Sequence, residues 1–199
     1  MGLVTEMWLP SAAAHDRNVF SYAGKHRYAV TLFTHASRPV FENAELVRTV
    51  LDVLGDSGRE QMFEITAYCF VPKKLMLIIG GREETSDFRA FIRTFRTGSA
   101  ARVRELMKGV LWSRRYQERV VRRGENLRTV VRELFAVPVR EGLAQSPVDY
   151  QYQGSFVGMT PGATSLRGTR PRRTGKSHGD SHGRHPKGGE KHGARKPGR

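Results

Sequence analysis

The chain is poor in several things that would each have pointed somewhere definite. It has one cysteine, Cys69, in 199 residues. A single thiol can close no internal disulfide and no cysteine-rich zinc site, so the reading is a reducing compartment. No apolar run approaches the roughly 20 residues that span a bilayer. The opening stretch, MGLVTEMWLPSAAAHDRNVF, lacks a basic segment followed by an unbroken apolar one, so no signal peptide is expected. Acidic residues are scarce as well, 19 against 34 Lys and Arg, for a formal net charge of +15. That balance points to polyanions: DNA, RNA or an acidic surface. The expected location is the cytoplasm of a bacterium, with the nucleoid as the natural polyanion and no membrane involved.

The charge is unevenly spread. Residues from Thr160 onward hold 11 Lys and Arg against 2 acids, and the rest of the chain holds 23 against 17. Gly, Pro, Arg, Lys and His dominate this tail, which has too little apolar surface to offset the entropy of ordering. It is expected to be disordered and to attract phosphates through counterion release. His178, His182, His185 and His192 match no defined metal spacing. The division expected is an N-terminal extension over 1–24, a folded domain over 25–157 and a basic tail over 158–199.

Periodicity organises the body. RYAVTLFTH alternates as a strand, and the stretch after Asn43 places apolar residues at 46, 47, 50, 51 and 54. That predicts a helix with Asn43 as N-cap and Gly55 as its stop. MFEITAYCF and KLMLIIGG read as two more strands around Pro72. Phe88, Phe91, Ile92, Phe95, Val103 and Leu106 mark a long helix, with Arg89, Arg93, Arg96, Arg102 and Arg104 on its other side. VLWSRRYQERVV reads as a fourth strand, and a short helix around Leu127, Val130, Val131 and Leu134 runs to Pro138. The order β-α-β-β-α-β-α is a split βαβ pattern, an α+β, RRM-like (ferredoxin-like) sandwich. Its antiparallel sheet carries helices on one face and leaves the other free for a ligand. Alternation puts Leu75, Leu77 and Ile79 toward the helices and Lys74, Met76 and Ile78 on the open face. The same phase puts Tyr68 beside Met76, where it could stack a base.

Five blocks together resemble one family. They are YAVTLFTHASRPVF, ITAYCFVPKKLMLII, FRAFIRTFRTGSAARVREL, LWSRRYQERVVRRGENLRTVV and VPVREGLAQSPVDYQYQGS, spanning about Arg27 to Ser155. Their order and spacing resemble the single-tyrosine HUH transposases, especially the REP-associated tyrosine transposases. That resemblance implies an RRM-like domain and DNA transposition as ancestry. It also implies Pro-x-His-hydrophobic-His on the third strand, whose two histidines hold Mg or Mn. A tyrosine on the helix before Asn-Pro then attacks a phosphate of single-stranded DNA. The chain departs from this at each chemical position. Pro72 matches the proline, but Lys74 and Met76 stand at the two histidines. Lys73 stands at a position often acidic in the family, Glu133 at the tyrosine, and Val137 at the asparagine before Pro138.

A protonated lysine has no lone pair for a metal, and a thioether is too soft for Mg or Mn. The expectation is therefore no metal cofactor, no catalytic residue, and a domesticated mobile-element protein with a degenerate site. It would bind single-stranded or hairpin DNA as a monomer or a homodimer. The residues expected to touch DNA are Lys73, Lys74, Arg114, Arg115, Arg122 and Arg123. His35, after the first strand, is read as structural. Two alternatives stay open: an active transposase or nickase with a non-standard site, and an RNA-binding RRM-like protein.

Overall fold

The computed structural model describes residues 21–157. The expected terminal tail, its histidines and the first twenty residues lie outside the described residues. Five strands form one antiparallel sheet in the order β4-β1-β3-β2-β5. They are β1 (Arg27–Thr34), β2 (Phe63–Val71), β3 (Lys74–Gly81), β4 (Trp112–Val120) and the two-residue β5 (Gln153–Gly154). The helices are α1 (Ala44–Glu60), α2 (Phe88–Arg102), α3 (Leu127–Phe135) and the single turn α4 (Val137–Arg140).

Each long helix starts on a side-chain oxygen. Asn43 Oδ1 accepts from the amides of Glu45 and Leu46 at 2.8 and 3.3 Å. Asp87 Oδ1 accepts from Arg89 and Ala90 at 2.8 and 3.0 Å, and Asn126 Oδ1 from Arg128 at 3.0 Å. Such a cap contributes about 1 kcal/mol by satisfying amides with no intrahelical partner. Gly55 does not stop α1, which runs on to Glu60. The reason is packing: Gly58 is buried, and a Cβ there would sit 3.1 Å from the Phe63 carbonyl and 3.3 Å from Ile65. The glycine lets the last turn lie directly on β2. The arginine-rich helix is shorter than its apolar spacing suggests. α2 ends at Arg102, and Val103 and Leu106 continue it only as turns.

The split βαβ pattern holds, with α1 and α2 together on one face. Tyr28, Val30, Leu32, Leu75, Leu77 and Ile79 pack there against Val47, Val50, Leu54, Phe91 and Phe95. Fully burying each large apolar side chain contributes roughly 1.5–3 kcal/mol, so this layer holds the fold.

Two expectations about the other face need correction. It is not free: α3 and the start of α4 lie across β2 and β3. Ala67, Cys69, Val71, Met76 and Ile78 pack there against Val130, Val131, Leu134, Phe135 and Val137. The strongly one-sided apolar stripe of α3 needs a partner, and this half of the sheet supplies it. Tyr68 is also not on that face. The β2–β3 register shifts between Ile65 and Ala67, a bulge that reverses the phase of everything after it. Tyr68 and Phe70 therefore point into the α1/α2 layer, where Tyr68 is 3 % exposed. Its ring occupies the space that a Cβ on Gly154 would need, 2.6 Å from the hydroxyl.

Residues ahead of the expected domain start also pack on the body. Tyr22 stacks on Phe88 at 5.7 Å, and Ala23 bridges to Asp87.

Candidate nucleic-acid interface

The turn between β2 and β3 carries the two lysines and is fixed from below. Thr34 donates to the Lys73 carbonyl from both its amide and its hydroxyl, each at 3.0 Å. Phe41 N donates to the Pro72 carbonyl at 3.2 Å. The Lys73 side chain projects from this turn into solvent. Lys74 begins β3 between Phe33 of β1 and Val71 of β2. As alternation requires, it shares a face with Met76. Its ammonium, however, is already engaged: Nζ lies 2.7 Å from Glu141 Oε1.

Met76 is 3 % exposed and covered by α3. Beside it on β2 is Cys69, fully buried. Desolvation pushes the thiol well above its ordinary value, Glu141 adds to the rise, and Lys74 opposes it. Glu133 on α3 is tied to the next helix. Its Oε2 accepts from Arg140 Nη1 at 3.1 Å, and its carbonyl accepts from Arg140 Nη2 at 3.2 Å. Pro138 does not simply end a helix. It lies in the first turn of α4, where a missing N–H costs nothing. The break it introduces brings Arg140 back to Glu133 and Glu141 over Lys74.

Glu133 and Lys74 are thus ion-paired to consecutive residues, Arg140 at the end of α4 and Glu141 as its C-cap, and Met76 is buried beneath α3. Among the described residues, no group of three or more His, Cys, Asp or Glu is gathered that could hold a metal.

The six expected DNA contacts do not form one patch. Lys73, Lys74, Arg114 and Arg115 lie at the end of the sheet where β1 finishes, since Thr34 pairs with Trp112 and Phe33 with Lys74. Arg122 and Arg123 follow β4 at the opposite end, where Val121 N donates to the Arg27 carbonyl at 2.8 Å. The two groups stand roughly 20–25 Å apart, the rise of about seven strand residues. Arg114, Arg115, Arg122 and Arg123 are all exposed. The first two occupy an irregular stretch, because the β1–β4 register shifts between Leu32 and Thr34. Simple alternation therefore does not apply to them.

The remaining tyrosines all sit in packing roles. Tyr150 donates its hydroxyl to the Phe70 carbonyl at 2.8 Å, and burial raises its phenol. Tyr152 packs edge-on against it at 5.9 Å. Tyr116 faces the α2 side, with Arg96 5.7 Å from its ring centre. His35 opens a short 3-10 turn and holds it through backbone bonds to Leu111 and Arg38, in keeping with a structural role.

Sequence reasoning missed three features. Arg140 and Glu141 could not be anticipated, because their partners are reached only through the break at Pro138. The pair Arg119–Glu125, doubly hydrogen-bonded at 2.8 and 2.9 Å, spans the turn into α3. It holds the Glu125 carboxyl below its ordinary value. The third is a groove on the opposite side of the sheet. Arg89, Arg93, Arg96 and Arg104 line it, and only the spacing of the first three hinted at it.

No protein-family model matches the chain, and no curated protein matches it. Solved structures do. A REP-associated tyrosine transposase bound to a REP hairpin superposes with a TM-score of 0.58 at 18 % identity, over 67 % of this chain and 79 % of that one. A candidate transposase from Deinococcus radiodurans R1 matches at 20 % identity over 62 % of this chain and 95 % of that one. Its TM-score of 0.44 is too low to carry an argument. In fold, the described body, a five-stranded antiparallel α+β sandwich, is similar to the hairpin-bound transposase.

Proposed function

We propose that this protein binds single-stranded or hairpin DNA and does not cut it. One observation carries the second half. The two positions that answer to the metal-binding histidine pair hold an ion-paired lysine and a methionine buried under α3. A protonated amine offers no lone pair, and a thioether does not suit a hard cation. The donor set does not fit Mg or Mn. Glu133, at the tyrosine position, has its carboxylate ion-paired with Arg140. It would also have to approach a phosphodiester of its own charge.

The first half rests on charge and fold. The chain carries +15, its exposed arginines and Lys73 ring the sheet, and its architecture is shared with a protein solved on a DNA hairpin. On this reading the protein is a domesticated relative of a mobile-element enzyme, with recognition kept and chemistry lost. Keeping a full apolar core while only the chemical positions change is what selection for binding would leave.

The test is a pair of assays on the full chain. Labelled DNA hairpin, single-stranded DNA and matched RNA are titrated across a salt series, and the same DNA is incubated with Mg or Mn and run on denaturing gels. Salt-dependent binding with DNA preferred, and intact DNA throughout, is expected. A protein–DNA adduct that survives boiling in detergent would restore catalysis. Preference for RNA would move the protein to the RNA-binding class.

A further inference from the structure

The arginine-lined groove runs between α2 and β4. It encloses about 640 Å³ and lies on the α2 side of the sheet, away from Lys74 and Met76. Its walls present Arg89, Arg93, Arg96 and Arg104, and none of its lining residues is acidic. Four cations around one cleft repel one another, an arrangement that an anion relieves. The lining is not all polar: exposed Val110 and the half-buried Tyr116 contribute apolar surface between the guanidinium groups.

The groove is also built rigidly. Trp112 Nε1 donates to Ser99 Oγ at 2.9 Å, which ties the start of β4 to the last turns of α2. Arg38 donates to the carbonyls of Lys108 and Val110, fixing the segment that forms the far wall. Arg96 donates to the Ser113 carbonyl and lies over the Tyr116 ring. Its buried Nε has no partner. Arg93 and Arg104 are exposed and flank this fixed frame. Arginine suits such a role because its planar fork matches the oxygens of a phosphate.

We infer that this groove is a second nucleic-acid site, which takes the phosphodiester backbone of a single strand with a base against Tyr116. The inference rests on the nucleic-acid-binding reading above and adds a location to it. The volume falls within the range of small-ligand clefts, roughly 300–1,000 Å³. That volume suits a strand or an extruded loop nucleotide. Base stacking on an aromatic ring beside arginines is how strands are held without sequence readout. The β1-end lysines and this groove lie on opposite sides of the sheet. A hairpin would thus be engaged at one site and its single-stranded flank at the other.

The experiment measures single-strand binding by the full chain with Arg93→Ala/Arg104→Ala, with Lys73→Ala, and with a control that removes two exposed arginines elsewhere, Arg48→Ala/Arg82→Ala. Arg93 and Arg104 are chosen because no bond holding the groove together depends on them. The groove variant should weaken single-strand binding about tenfold near physiological salt and flatten the log–log salt slope by about 1.4, the value for two lost phosphate contacts on a single strand. The control should move neither quantity by half as much. A bromouracil-substituted strand should crosslink to the peptide containing Tyr116. Groove and control variants that behave alike, with no crosslink there, overturn the groove while Lys73→Ala can still uphold DNA binding. Failure of the unmodified protein to bind any strand overturns both.

Discussion

Lys74 and Glu141 form a close ion pair, 2.7 Å between Nζ and Oε1, joining the start of β3 to the residue that caps α4. Both side chains are partly shielded, at 28 % and 37 % exposure, which makes the contact more than a fleeting surface pair. The positive charge at this position is therefore already answered from within the protein, while that of neighbouring Lys73 faces solvent. The two lysines, both expected to touch DNA, thus differ in what already engages them.

The difference is measurable. Lys73→Ala should lower the salt slope of single-strand binding by about 0.7, one phosphate contact, whereas Lys74→Ala should leave it close to unchanged. Glu141→Gln, which releases Lys74, should strengthen binding at low salt. Equal losses from the two alanine variants would show that DNA displaces Glu141.

Met76 offers a test of whether the second face is closed. At 3 % exposure under α3, Met76→Ala should cost about 2–4 kcal/mol in denaturant unfolding, the usual range for emptying a core position. A methionine on an open, ligand-ready face would cost well under 1 kcal/mol. Cys69 beside it should stay unreactive toward thiol reagents in the native protein, since burial both blocks access and raises the thiol. It should react in full once the chain is unfolded.

Restoring the nucleophile alone should restore nothing. Glu133→Tyr removes one side of the pair with Arg140 and supplies a phenol, yet Lys74 and Met76 still offer no donors to Mg or Mn. No covalent adduct with single-stranded DNA is expected on denaturing gels. An adduct from this single change would mean that phosphate activation here needs no metal, and that Lys73 or an arginine provides it.

The pair Arg119–Glu125 gives a pH signature. The Glu125 carboxyl is held low, first by the hydrogen bonds from Arg119 and then by the Arg122 amide, against an opposing effect of burial. A carboxyl depressed in the folded state contributes stability that is fully present above its unfolded value, about 4.3, and fades as pH falls through the folded value. Glu125→Gln should thus cost about 1 kcal/mol near pH 7. The gap between the two proteins should narrow below about pH 4. A gap that persists unchanged in acid would assign the loss to altered packing of the turn.

Much of the architecture could be read along the chain because local signals coincide with global ones. Asn43 is both a good cap and the residue just before the apolar stripe of α1, and β3 alternates cleanly from Leu75 to Ile79. Legibility failed where a decision is made at long range. Nothing in MFEITAYCF marks Thr66 as the point where the phase reverses, because residues on both sides of it are apolar and either phase buries them. The stripe of α3 shows that the helix needs a sheet, but not which face. Gln153 and Gly154 are too few to register as a strand. At the site, the identity of Lys74, Met76 and Glu133 was plain, whereas the engagement of Lys74 by Glu141 and of Glu133 by Arg140 depends on the helix interruption before Pro138.

The bulge in β2 has a bearing on how this face could have changed over time. Residues 63–65 and 67–71 point their alternate side chains to opposite layers, with Thr66, fully buried, taking up the extra length. Deleting Thr66 would straighten the ladder and leave Tyr68 and Phe70 under α1 and α2, with Ala67, Cys69 and Val71 still beneath α3. Drawing Thr66 into the regular pleat would instead carry Tyr68 and Phe70 across to the α3 layer, next to Met76, and send the small side chains the other way. Substitution is not the only route by which such a surface can be rewritten; gaining or losing a bulge does it at once, provided the core tolerates the exchange.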